Sequence, residues 1–404
     1  MIPRYSDSLV DRLYSDEWTF DAWLGIERAA LAAQIQNGVV PEEARLLWRW
    51  LEKCHSDEET ASWIRVLERT ETHHDVAAFL KHWRMARGQD DAKWLHYGLT
   101  SSDLVDTTQA LRFRRLHVEY RDRAQELLSA ILRWTEVDQP MLGLTHGQPG
   151  EPTSIRARAF GWIAEIEHGL QAVSRQNRAM QVMKLSGPMG TFAHNPPEVE
   201  ATVAIELGLI PMGAGATQIL PRSALSLWAS SCAALVAACS KVAHDLRLLN
   251  SSDELFWPRA GEHVGSSAMP HKNNPIEAEQ VRGMARLARG YAAALEADPL
   301  WLERDISNSS VERVAVPDLW HTVFHAMKLT TRALTDMELR PLVIEERLMN
   351  RANEAWSHKT TLMAIADGES YDEAREFGRE VQIESYDILE DARWFTRQYP
   401  KAKQ

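Results

Sequence analysis

Cysteine is scarce: Cys54, Cys232 and Cys239 are the only three in 404 residues. Three thiols set in helical pattern are too few for a disulfide framework or a metal cluster, so a reducing compartment is expected. Glycine, at 20, and proline, at 17, are low for this length, and strand-like alternation is rare. Ala, Leu, Glu and Arg abound instead, so helix should dominate. Neither an N-terminal signal nor an apolar membrane span is read, which predicts a cytoplasmic protein with no membrane partner. Positive charge is in deficit, with a formal net charge of -12. That balance argues against nucleic acid as a partner while leaving room for a local basic pocket that holds one small anion. Histidines are scattered without helical pairing, so no metal and no cofactor are expected.

The length predicts two or three domains. Short helical patterns alternate with polar turns up to a Gly-Gln-Asp-Asp run at 88–91, giving an N-terminal helical domain over 1–93. A central bundle over 94–340 follows, with long helices near 103–138, 153–183, 222–255, 276–297 and 311–339, and then a small helical domain over 341–404. The third of these helices is apolar nearly all round, from Ala224 through Ala238. It should be buried on every side, which one chain cannot easily achieve, so subunits are expected to pack their bundles together.

Chemistry concentrates at 265–275, Gly-Ser-Ser-Ala-Met-Pro-His-Lys-Asn-Asn-Pro. Asn274 and Pro275 read as N-cap and first helical residue behind a glycine-loosened loop. A helix N-terminus beside Lys272 suits a carboxylate, or the more charged carbanion formed when a neighbouring C–H proton is lost, with Ser266 or Ser267 as the base. The plain alternative is a Gly/Ser loop before a capped helix. The compound spacing resembles the signature loop of the fumarase/aspartase superfamily, and its Ala-Met-Pro-His-Lys form is most similar to the adenylosuccinate lyase family. The resemblance implies an all-α, three-domain lyase with a central long-helix bundle, assembled as a homotetramer with sites shared between subunits.

Residue by residue, the resemblance implies further roles. Thr145-His146-Gly147-Gln148 is similar to the block whose histidine is the general acid, with Thr145 holding substrate, and Glu279 matches the glutamate that orients it. Thr100 and Ser101 match a carboxylate-binding pair, although Ser102 and Asp103 equally serve as helix caps. Lys272 and Asn274 would hold the same succinyl group, and Gln218 its amide. His74 and Asp75, in His-His-Asp-Val-Ala-Ala-Phe, fall at the substrate. Arg4 and Tyr5, with Ser309 and Arg313 of the Glu303 to Arg313 run, would meet a nucleotide phosphate, which suits paired guanidinium donors. Singly, each has a bland explanation: a terminus, a solvated face, a surface histidine pair.

Three departures bear on the leaving group. Asn273 stands where Arg is commoner, and Asn308 where His is usual. Arg222 keeps its place but is followed by Ser223 and Ala224 instead of the usual Asp and His. The implied reaction is β-elimination from adenylosuccinate, and the related succinyl carboxamide ribotide is a second candidate substrate. The alternatives are a lyase for another nitrogen-substituted succinate and a non-catalytic paralogue that kept the bundle.

Overall fold

The structure is a computed structural model that describes residues 1–258, 269, 273–296, 302–383 and 392. It divides into two compact units, the first formed by Met1–Asp122, Gln171–Ala233 and Leu287–His325, the second by Arg123–Leu170, Ala234–Arg286 and Ala326–Gln404.

In the first unit, polar residues start the N-terminal helices at their expected places. Asp7 accepts the Leu9 N–H at 3.0 Å to open Ser8–Leu13, and Ser15 accepts the Trp18 N–H at 3.3 Å to open Asp16–Gln36. Each bond satisfies a donor that the first helical turn leaves without an intrahelical partner. Asp16–Gln36 is buried on most of its surface because Phe20 and Trp23 pack against Phe79 of the helix Asp75–Arg87, with ring centroids 6.3 and 5.5 Å apart. A second aromatic cluster joins Phe113, Trp228 and Trp320, whose centroids lie 4.9 to 5.5 Å apart. The same unit holds a fully buried ion pair, Asp103 with Lys184.

The second unit holds an element that the composition did not suggest, an antiparallel hairpin of Pro140–Thr145 and Gln148–Ser154. Its two-residue turn is His146-Gly147, with φ of 55° and 76°. Positive φ at both central residues gives a turn whose twist matches that of the strands it joins. Gly143 sits at the register shift, where a Cβ would collide with the Glu151 backbone oxygen. The hairpin packs Leu142 against Leu348, Ala355 and Trp356 of the C-terminal helices Pro341–Met349 and Ala352–Ala366.

The long helices are Ser101–Thr135, Ile155–Ala179, Ser223–Ser251, Ile276–Ala294 and Ser307–Asp336. They match the expected set to within a few residues at each end. One expectation about Ser223–Ser251 needs correction. It is long and apolar enough to cross a bilayer by length and composition alone, so an apolar span does exist. Trp228, Cys232, Leu235, Val236, Cys239 and Val242 are nonetheless buried in protein, which makes it a core helix. It is not covered all round: Ser223, Leu227, Ser230, Ala234, Lys241, His244 and Leu248 form an exposed stripe. Their three-, four- and seven-residue spacing is that of a helix-packing seam.

Candidate active site

In the first unit, His74, Asp75, Ser309 and Arg313 come together from segments far apart in the chain. His74 ends a left-handed turn begun at His73, where φ is 50°, and its Nδ1 accepts the Ala77 N–H at 3.4 Å as the N-cap of Asp75–Arg87. Asp75 follows it into the first turn, and its Oδ2 accepts from Arg313 at 2.7 Å. The carboxylate is 14% exposed and the guanidinium 60%, so Arg313 keeps donors free for a ligand while Asp75 fixes its direction. Asp75, Ser309 and Arg313 line a cavity of about 450 Å³ whose walls include Met180, Met212 and Leu225.

Arg222 lines the same cavity but is largely occupied. Its Nη1 and Nη2 donate to both oxygens of Asp106 at 3.2 and 2.9 Å, and its Nε donates to Glu312 at 2.7 Å. Burial works against the charge, but the two carboxylates prevail and push the Arg222 pKa above its ordinary value. A guanidinium held this way shapes a wall more than it grips a ligand. The sequence pointed to no role for Asp106, and Glu312 stood in the Glu303 to Arg313 run without one. Asp106 lies one helical turn beyond Asp103 on Ser101–Thr135, a spacing that puts both carboxylates on one face.

Thr100 and Ser101 sit at the start of Ser101–Thr135. The Thr100 N–H donates to Asp103 at 2.8 Å, and Asp103 is anchored in turn by Lys184. Gln218 accepts from Arg304 at 3.0 Å, and the same Arg304 nitrogen reaches Ser102 at 3.3 Å. Arg4 is exposed in the short helical turn Pro3–Tyr5, and the Tyr5 ring meets His325 edge-on at 5.3 Å. His96, four residues before Thr100, has φ of 64° and its Nδ1 is 2.5 Å from Glu27.

The second unit carries the remaining residues. Thr145, His146 and Gln148 stand exposed at the hairpin tip. Glu279 lies in the first turn of Ile276–Ala294, which begins one residue later than expected. Within one chain Glu279 accepts from Arg247 at 3.4 Å rather than meeting His146. Asn274 lies two residues before the first residue of this helix, and its backbone oxygen accepts from the Ile276 N–H at 2.9 Å. Ser266 and Lys272 lie outside the described residues.

Comparison with known proteins identifies the family. A family model described as lyase matches residues 5–290. The adenylosuccinate lyase of Synechocystis sp. (strain ATCC 27184 / PCC 6803 / Kazusa) is 34% identical over 382 residues, covering 93% of this chain and 86% of the relative. The adenylosuccinate lyase of Thermotoga maritima is 32% identical over 383 residues, covering 92% and 86%. Among solved structures, a fumarate lyase from Mesorhizobium sp. BNC1 superposes with a TM-score of 0.79 at 21% identity, covering 93% of this chain and 85% of that one, so the all-α lyase fold is shared. The chain belongs to the fumarase/aspartase superfamily and is a carbon–nitrogen lyase.

Proposed function

We propose that the chain cleaves adenylosuccinate to fumarate and AMP. The observation that carries this reading is the meeting of Asp75, Ser309 and Arg313 on one cavity, in a chain about one-third identical to named adenylosuccinate lyases over most of its length. Arg313, with Arg4, Tyr5 and Ser309, supplies donors for a phosphate monoester. Thr100, Ser101, Lys272 and Asn274 hold the succinyl carboxylates, and Gln218 faces the amide.

Ser266 takes the proton from the carbon beside the carboxylate. The electron pair then forms the fumarate double bond as the C–N bond breaks, and His146, oriented by Glu279, protonates the departing nitrogen. Lys272 and the N-terminus of Ile276–Ala294 stabilise the dianion. No metal or cofactor takes part in this scheme. His146 and Ser266 come from different subunits of a homotetramer, and the exposed seam on Ser223–Ser251 supports such an assembly. We place the bundle at about 94–340, between an N-terminal domain over 1–93 and a C-terminal domain over 341–404. A cytoplasmic enzyme is the matching location.

A second reading, another nitrogen-substituted succinate as substrate, is favoured by the engagement of Arg222 with Asp106 and Glu312. Ultraviolet assays with adenylosuccinate, the succinyl carboxamide ribotide and N-succinyl amines decide between the two. Fumarate and AMP formation is expected. Turnover of the amines with none of adenylosuccinate would replace the first reading with the second.

A further inference from the structure

A second pocket, of about 650 Å³, opens in the first unit, and its lining shares no residue with those assigned to substrate. Four arginines line it: Arg12 from Ser8–Leu13, Arg28 from Asp16–Gln36, and Arg114 and Arg115 from Ser101–Thr135. Asp21 is the single carboxylate of the lining, and its Oδ1 already accepts the Ser56 N–H at 3.1 Å. The lining therefore carries a net charge of +3 in a chain whose formal net charge is -12.

Several arginines elsewhere pair with carboxylates: Arg65 with Asp16 and Glu68, Arg222 with Asp106 and Glu312, Arg347 with Glu254. None of the four in this pocket forms an ion pair among the described residues. Like charges converging on one concave surface repel one another, a cost that Asp21 and solvent at the exposed Arg12, Arg114 and Arg115 offset only in part. Arg114 has a partial structural explanation. Its guanidinium lies against Gly208, the left-handed cap that ends Pro197–Leu207, where positive charge suits the helix dipole. That account does not extend to Arg12, Arg28 and Arg115.

Gly25 is the second observation. It sits inside Asp16–Gln36 and lines the pocket, yet a Cβ there would meet nothing within 4 Å. Glycine in a helix interior is destabilising relative to alanine, so this position gives up helix stability without any packing need. What it provides is room beside the arginines. Leu13, Leu24 and Leu111 form an apolar floor, and the Trp18 ring forms a flat side.

We propose that this pocket binds a triphosphate group, on a nucleotide or as an inorganic chain. Three or four negative charges match the net charge of the lining, and guanidiniums arriving from three helices can each present paired donors to phosphate oxygens. A monophosphate meets too few of them to hold against water.

Isothermal titration of the intact protein with inorganic tripolyphosphate, ATP and AMP tests this. Tripolyphosphate and ATP bind, with affinity falling steeply as salt rises. The Arg28→Ala/Arg115→Ala variant weakens both by about tenfold or more, the loss expected for charge-assisted hydrogen bonds. Gly25→Leu, whose added side chain enters open space and leaves the fold intact by circular dichroism, obstructs the pocket and also weakens binding. Arg313→Ala leaves it unchanged. Tighter binding of ATP than of tripolyphosphate identifies a nucleotide as the ligand, with its base on Trp18, and equal affinity identifies the phosphate chain alone. Absence of binding overturns the proposal, as does binding that Arg313→Ala abolishes and Arg28→Ala/Arg115→Ala leaves intact, since the ligand then occupies the lyase site.

Discussion

The Asp103–Lys184 pair offers a demanding test of how the start of Ser101–Thr135 is held. Both side chains are fully buried, and Asp103 also accepts the Thr100 N–H at 2.8 Å. Asp103→Asn keeps the shape and an oxygen for Thr100 but leaves the Lys184 ammonium without its counter-charge. Breaking a buried pair in this way costs about 3–5 kcal/mol. Lys184→Met strands the carboxylate instead, and the outcome differs because a carboxylate can escape by protonation. Burial pushes the Asp103 pKa above its ordinary 3.8, and Lys184 opposes that shift. Without the lysine the folded-state pKa stands higher still. A raised folded-state pKa means that stability is fully present below the unfolded value and is lost as pH rises through the folded one. The deficit of Lys184→Met therefore begins to shrink at a higher pH, as its stranded carboxyl takes up a proton, than the deficit of Asp103→Asn, which shrinks only as the wild-type carboxyl is itself protonated. Removing both charges, as Asp103→Leu/Lys184→Met, costs less than the two single changes together. Urea unfolding followed by tryptophan fluorescence at several pH values measures all three. An Asp103→Asn protein within about 1 kcal/mol of wild type, or single penalties that simply add in the double variant, would refute the reasoning.

Further predictions concern the chemistry, the N-terminus and the core. Ser266→Ala abolishes fumarate release while adenylosuccinate still binds, and mixing it with His146→Gln under subunit exchange restores part of the activity; full turnover by Ser266→Ala excludes that serine as the base. His321 is buried and its Nδ1 accepts the Asp7 N–H at 2.9 Å, and burial lowers its pKa from 6.5 although Asp11, Asp318 and Asp7 pull the other way and the N-terminal ammonium adds to the lowering. A lowered folded-state pKa makes its contribution complete above 6.5 and lost as pH falls through the folded value. Hydrogen exchange of residues 1–15 should therefore quicken below pH 6.5, and His321→Gln, which keeps an acceptor, should remove that dependence. Gly169→Ala should destabilise by about 1–3 kcal/mol in thermal or urea unfolding, because its Cβ would lie 2.8 Å from the Leu235 Cα, and no measurable change would mean the two helices have room to separate.

How much of this was legible in the sequence depends on how local each signal is. The long helices were readable because a periodic apolar face and a cap suffice to specify them, as in 153–183 against the observed Ile155–Ala179. The hairpin was not, since Gln148-Pro149-Gly150-Glu151-Pro152 is poor strand sequence. It forms because His146-Gly147 takes a left-handed pair and Gly143 permits close backbone approach, and only the glycines hinted at either. The stripe left open on Ser223–Ser251 could not be read from its composition, because small and apolar residues there suit a buried face and an exposed seam alike.

The polar network around Arg222 was invisible for a different reason, and it changes how the departures from the family pattern are understood. In the sequence, Asn308 and the altered neighbours of Arg222 stand as two separate changes. In the structure Asn308 and the retained Arg222 meet at one carboxylate: Glu312 Oε1 accepts from Asn308 Nδ2 at 2.8 Å and from Arg222 Nε at 2.7 Å. An amide at 308 reaches this oxygen with a neutral donor from one helical turn away, whereas a histidine there would bring a bulkier ring that also titrates near neutral pH. With Glu312 shared between Asn308 and Arg222, the guanidinium is drawn to the wall and Ala224 and Leu225 line the cavity beside it. The change at 308 thus acts on the wall that Arg222 forms, and restoring histidine there should disturb the Arg222 contacts as much as it changes the ligand surface.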